Sequence, residues 1–353
     1  MTDRVLHVVV PGDLETKTGG YGYDRRIIDG LRTRGWQVAV VSLPGTYPLP
    51  TSADRARAAS ALASIPDGAL VLVDGLALGA LPDEAARERE RLHLVALVHH
   101  PLGLETGLSD VDAQRLLDSE RRALASVHGV VVTSSRTAAA VVDALGVAQH
   151  HVHVVEPGTD AAPEARGSGH GPRHLLCVAS LTPRKGHDTL FDALDGLLDL
   201  DWHLTCAGSA ARDSLYASRL VTRASTPPLK GRIALAGELA GPALDAAYDA
   251  ADLFVLPTHY EGYGMVIAEA LARALPVVST ATGAVPELVG PDAGVLVHAG
   301  DVAELRSVLR SLMTDDARFA RLHEGARVAR LRLSSWNDAC ARMEAALMRT
   351  LAA

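Results

Sequence analysis

Aromatic residues make up only 4% of this 353-residue chain, so its core has to be built on Leu, Val and Ala. Cysteine is scarcer still. The three cysteines, Cys177, Cys206 and Cys340, are scattered and odd in number. No C-x-x-C pair occurs among them, so the spacing supports neither a disulfide scaffold nor a zinc site. An excess of positive charge is also missing: the formal net charge is -8, which argues against nucleic acid as a partner. A local basic strip, Arg25, Arg26, Arg32 and Arg34, reads as a solvated helix face and leaves peripheral membrane contact open. No apolar run approaches the ~18 residues that a membrane span requires. Met1 to Arg4 run straight into a strand-like stretch without the basic and long apolar regions of a leader. The expectation is a cytoplasmic protein.

Short β-branched runs alternate with longer helical patterns. The first half offers strands at Val5–Val10, Gln37–Ser42, Ala69–Val73, Leu92–Val98, Gly129–Thr133 and Val152–Val155. Helix-like stretches such as Tyr23–Arg34, Ala53–Ser64 and Asp110–Ser126 lie between them. Apolar strands separated by helices imply βαβ units and a parallel sheet covered on both faces. From Glu156 to Arg173 the apolar period disappears, which predicts a linker over 158–173. The pattern then restarts with strands at Leu175–Ala179, His203–Ala207, Ile233–Ala236, Leu253–Leu256, Pro276–Ser279 and Gly294–Val297. Residues 1–157 and 174–335 are therefore expected as two doubly wound α/β domains. A last helix, 336–353, is expected either to pack back on the first or to cap the second. Such sheets bind ligands outside the carboxyl ends of their strands, so the expected site is a cleft between the domains.

The strongest signal is Glu261-Gly-Tyr-Gly-Met-Val-Ile-Ala-Glu269. It follows the buried strand Leu253–Leu256 and Pro257, and Met265 is expected to open an amphipathic helix. Gly262 and Gly264 let the backbone approach a ligand closely, with Tyr263 between them. Free amides at the helix start, around Met265, suit a diphosphate. Glu261 precedes that helix and Glu269 lies inside it, roughly 7–8 Å further along the axis. That separation suits two carboxylates gripping hydroxyls on opposite sides of a diphosphate.

This segment resembles the E-x7-E signature of retaining GT-B glycosyltransferases, above all glycosyltransferase family 4, and the resemblance extends over nearly the whole chain. Leu181-Thr-Pro-Arg184-Lys185-Gly186 resembles the family's loop whose Arg and Lys clamp the donor diphosphate. Two cations beside a glycine suit a dianionic leaving group. Ala236-Gly237-Glu238 resembles the nucleotide-base loop, a weaker match. Pro276–Ser279 and Gly283–Glu287 resemble the next donor-side strand and loop. The resemblance implies that Glu261 contacts the transferred sugar and Glu269 the ribose.

In the first half, Gly19-Gly20-Tyr21-Gly22 follows the first strand and is expected as a loop before a helix. It lacks the third glycine of a G-x-G-x-x-G fingerprint, which disfavours a nicotinamide dehydrogenase. The loop resembles the glycine-rich loop by which family 4 meets donor phosphates. Val98-His99-His100-Pro101 closes the fourth strand. The resemblance puts a histidine here near the donor sugar; His99 is preferred by its position directly after the strand, with His100 beside it as the alternative. A metal on the pair is disfavoured, because neighbours on an extended chain point opposite ways. Glu105 and Asp74 stand as loop carboxylates in reach of an acceptor, and His150, His151 and His153 receive no role.

The resemblance implies a metal-independent hexosyltransferase that retains anomeric configuration and uses no cofactor beyond a UDP- or GDP-linked sugar substrate. The acceptor, whether saccharide, lipid or small metabolite, and the oligomeric state are not legible. Acceptor recognition is expected in loops such as Pro44–Pro50 and Pro101–Asp110. A nucleotide-sugar epimerase and a non-catalytic nucleotide-sugar-binding subunit are the alternatives. A glycosidase pair is disfavoured, since it needs no diphosphate clamp.

Overall fold

The structure, a computed structural model, describes residues 4–105, 107–169 and 174–352. The chain forms two compact units, Met1–Gly158 with Ser334–Ala353, and Thr159–Leu333.

The first unit holds β1 (Val5–Pro11), β2 (Gln37–Leu43), β3 (Leu70–Asp74), β4 (His93–Val98), β5 (Gly129–Val132) and β6 (Val152–Val154). They form one parallel sheet in the order β2-β1-β3-β4-β5-β6. Every residue of β3 and β5 is buried, as continuous apolar strands covered on both faces should be, whereas the edge strand β2 is largely exposed. Strand order reverses between β1 and β3, and that reversal opens a crevice at the carboxyl ends of the strands.

The helix expected from Tyr23 begins four residues earlier, at Gly19, and runs to Thr33. Gly19 to Gly22 are thus its first turn and not a loop. The Thr18 hydroxyl accepts the Tyr21 N–H at 3.2 Å, and this cap starts the helix despite the glycines' poor propensity.

The last helix, Trp336–Ala352, belongs to this unit. Its buried stripe, Ala339, Cys340, Met343, Ala346 and Leu347, has helical spacing. A side chain at Gly30 would collide with Cys340, so that glycine permits the close approach of the two helices. Glu344 takes Arg34 at 2.8 Å and the Trp36 indole at 3.2 Å, and Arg26 lies 4.9 Å over the Trp336 ring. Two members of the basic strip therefore serve this helix packing. The strip as a whole is not a uniformly solvated face.

The second unit holds β7 (His174–Val178), β8 (His203–Ala207), β9 (Ile233–Gly237), β10 (Leu253–Leu256), β11 (Val277–Thr280) and β12 (Gly294–Val297). They form a parallel sheet in the order β12-β11-β10-β7-β8-β9, with the reversal between β7 and β10. Its core gathers Trp202, Phe191, Phe254 and Tyr248 among Leu and Val side chains.

The segment read as a linker is part of this unit from Thr159 onward. Ala165 donates to the Arg273 carbonyl, Gly167 to that of Asp249, and Arg166 Nε binds Asp249 at 2.7 Å. Asp252 accepts from the Ser168 amide and hydroxyl at 2.7 and 2.8 Å. These polar contacts pin a stretch whose lack of apolar period resembles a flexible connection. Its residues 170–173 lie outside the described ones, as does Thr106 in the expected acceptor loop.

Candidate active site

In the second unit the loops after β7, β10 and β11 are laced together at the switch-point end of the sheet. The short turn Pro183–Lys185 ends at Gly186, whose φ of +73° favours glycine. A β-carbon there would strike the Pro257 carbonyl, so the glycine lets the loop after β7 close onto the end of β10. His259 donates its amide to the Arg184 carbonyl at 2.7 Å, and the Thr258 hydroxyl reaches the same oxygen at 3.1 Å. The Arg184 guanidinium donates to the Tyr260 carbonyl at 2.8 Å. Across this frame Lys185 Nζ forms an ion pair with Glu261 Oε1, their side chains only 13% and 9% exposed. Burying opposite charges together avoids the large cost of burying either alone.

Gly264, at φ +97°, caps the helix Met265–Ala272, whose N-terminal amides receive no side-chain cap. Apart from its first turn and Glu269, that helix is wholly buried, so it is a core helix and not the amphipathic one expected. Glu269 accepts the Tyr248 hydroxyl at 2.9 Å. Burial raises its carboxyl above the usual range, against the pull of that hydrogen bond and of Arg273.

In the first unit, His99 follows β4 and meets two carboxylates. Its Nε2 lies 3.1 Å from Asp24 Oδ1 and 3.9 Å from Asp74 Oδ2. Tyr23 packs edge-on at 5.3 Å, and a β-carbon at Gly20 would touch the ring at 3.5 Å. Burial opposes an imidazolium here, yet the Asp24 and Asp74 carboxylates outweigh it and His99 is raised above its ordinary range. Asp74 is pushed up to about 7, first by burial and then by the neighbouring Asp24 charge. One ligand atom from each of the three residues lies within 4.8 Å of the others. The chemistry this supports is a charged or hydrogen-bond-donating imidazole held in a fixed orientation.

Residues 159–329 match the family model of glycosyl transferases group 1. The second unit is a group 1 glycosyltransferase domain. The chain is 30% identical over 241 residues to a D-inositol 3-phosphate glycosyltransferase of Xylanimonas cellulosilytica, covering 64% of this chain and 57% of that protein. It is 26% identical to an MMP alpha-(1->4)-mannosyltransferase of Mycolicibacterium hassiacum, covering 73% and 66%. The matches thus span less than two thirds of those relatives' length.

Two solved structures align over 98% of this chain and 99% of their own. One is a sucrose-phosphate synthase from Thermosynechococcus elongatus, with TM-score 0.81 and 18% identity. The other is HepE of Anabaena in complex with UDP and glucose, with TM-score 0.76 and 17% identity. The fold is GT-B, two parallel-sheet Rossmann-like halves.

Within the glycosyltransferase domain the structure brings together Arg184, Lys185, Glu261, Gly262, Tyr263, Gly264 and Met265 in one group of loops, with Glu269 on the following helix. Glu238 is set apart: it is exposed after the edge strand β9, which β7 and β8 separate from β10. In the other half Gly20 joins His99, while Gly19 faces open space. It is His99 that pairs with Asp24; His100 is half-buried beside it.

Asp74 is no loop carboxylate. It ends β3, is 5% exposed and caps the next turn through the Leu76 amide at 2.7 Å. Glu105 is exposed after the turn Leu102–Leu104. Asp24 escaped the sequence reading, although a signal existed. It shares the apolar stripe Gly20, Ile27, Ile28 and Leu31, where a carboxylate needs a reason. Glu120 escaped as well. This buried carboxyl accepts the Leu102 amide at 2.8 Å, and burial pushes it up to about 8.

Proposed function

We propose that this protein is a retaining hexosyltransferase that moves a sugar from a UDP- or GDP-linked donor to an acceptor hydroxyl without a catalytic metal. The observation that carries the reading is the Lys185–Glu261 pair at the β7–β10 switch point, beside Arg184 and the start of the helix at Met265. A lysine ammonium has three donors, so one held by Glu261 leaves two for diphosphate oxygens. Glu261 keeps a second oxygen for a sugar hydroxyl, and Glu269 suits the ribose. Arg184, Lys185 and the helix amides stabilise negative charge as the diphosphate departs.

The acceptor oxygen bonds to the anomeric carbon on the face from which the diphosphate leaves. Its proton passes to a leaving-phosphate oxygen, so no protein carboxylate need be a nucleophile. His99, fixed by Asp24, is assigned to donate a hydrogen bond to the sugar, as the family resemblance implies. The names of the relatives, inositol-phosphate and mannosyl transferases, support a hexose donor and a hydroxyl acceptor. No helix among the described residues is long and apolar enough to cross a membrane, which leaves contact with a lipid acceptor to the protein surface.

The test is a thermal-shift panel of UDP, GDP and ADP, followed by the preferred hexose donor with an acceptor panel and EDTA. Stabilisation by one nucleotide, with glycoside formed at a rate unchanged by EDTA, is the expected result. Isomerised sugar from donor alone, or binding without any transfer, overturns it.

A further inference from the structure

Behind the Arg184–Lys185 loop, three residues far apart in sequence meet inside the second unit. Cys177 on β7 and Cys206 on β8 are register partners, so their side chains share one face of the sheet. His187 opens the helix His187–Asp195 directly after Gly186. All three are essentially inaccessible to solvent. Cys177 Sγ lies 3.7 Å from His187 Nε2, and the three ligand atoms lie within 4.8 Å of one another.

We propose that Cys177, His187 and Cys206 supply three of the four ligands of one zinc ion beneath the donor loop, with a water completing the tetrahedron. The distances fit. A sulfur ~2.3 Å and a nitrogen ~2.0 Å from one zinc stand roughly 3.5 Å apart across a tetrahedral angle. The charge fits too. Zinc displaces one proton from each thiol, and Zn2+ with two thiolates and a neutral imidazole is uncharged, as an apolar core demands. A monovalent cation such as Cu+ would leave the same ligands with a net negative charge.

The imidazole supplies an independent observation. His187 is wholly buried, its Nδ1 has no hydrogen-bond partner, and its Nε2 meets the sulfur of Cys177, a weak hydrogen-bond partner. A metal bond at Nε2 would replace that weak sulfur contact with a strong one, while Nδ1 stays unpaired. The ion would tie β7, β8 and the helix start into one unit, stiffening the turn that presents Lys185. This inference does not depend on the transferase reading.

The experiment uses the full chain expressed in zinc-supplemented medium and purified under reducing conditions without chelator. Elemental analysis is expected to give about one zinc per chain, one ion for the three ligands. The Cys206→Ala variant should lose at least nine-tenths of it, and Cys340→Ala, a thiol outside the cluster, should keep it. Should Cys206→Ala not fold, the wild-type chain refolded with Co2+ is expected to show thiolate-to-cobalt charge-transfer absorption. Zinc below a tenth of an equivalent in the wild type, zinc retained by folded Cys206→Ala, or a Co2+ product without that absorption overturns the proposal. A Cys177–Cys206 disulfide found by mass spectrometry in the freshly purified protein overturns it equally.

Discussion

Nε2 of His99 lies 3.1 Å from Oδ1 of Asp24, across 75 positions of sequence, and the carboxylate that holds it is almost wholly buried. A buried acid on the inner face of a helix is expensive unless something charged or hydrogen-bonded answers it. Here the answer is an imidazole at the end of β4. The pair fixes the ring's orientation and favours its protonated form.

Asp24→Asn should therefore lower kcat/KM by about 10–100-fold, the range expected when the group orienting a functional histidine is removed. Asp24 and Asp74 both hold the His99 proton on, so loss of that proton with rising pH occurs above the ordinary histidine range. The alkaline limb of the rate profile should move toward lower pH in the variant. A double-mutant cycle with His99→Gln should be strongly non-additive. Additive losses and an unmoved limb would show that the contact serves folding alone.

Lys185→Ala and Glu261→Ala should each abolish measurable transfer while the far-ultraviolet circular dichroism stays native. Each deletion also strands a mostly buried partner charge, so a lower melting temperature is expected in both. Glu261→Gln keeps the shape and a hydrogen-bond acceptor for Lys185. It should melt closer to wild type than the alanine variant while still losing at least about 100-fold in turnover, the scale of a lost charge-stabilising contact. Near-normal turnover in any of the three would sink the site assignment.

Glu120 gives a stability prediction independent of catalysis. Burial raises its folded-state value to about 8, above its unfolded one. Its contribution is therefore complete below the unfolded value and is lost as pH rises toward the folded one. Glu120→Gln should match wild type near pH 5 and exceed it near pH 9. The gap should grow by at most about 1.4 kcal/mol per pH unit in between. Denaturant melts at several pH values measure this, and a gap constant with pH would contradict the assignment.

Gly186→Ala places a side chain at φ +73° and drives its β-carbon into the Pro257 carbonyl. The conformation alone costs about 1–2 kcal/mol. The variant should melt several degrees lower and bind nucleotide diphosphate more weakly, because the turn that presents Arg184 and Lys185 has to shift. Titration calorimetry on the folded variant checks the second effect.

The sequence by itself determined the alternation of apolar strands and helices, and with it two parallel sheets in series. It also located the Glu261–Glu269 segment and the Arg184-Lys185 turn, because glycines and charges directly after buried strands carry their meaning locally. Only the tertiary structure decided that Lys185 pairs with Glu261, that Asp24 and Asp74 face His99, and that Cys177, His187 and Cys206 converge. It also decided that residues 159–169 belong to the second unit and that Gly19–Gly22 lie inside a helix. The reason is physical. Periodicity reports which face of an element is apolar, but a buried charge or thiol is explained only by the partner that strand order and helix packing bring to it from far away in sequence.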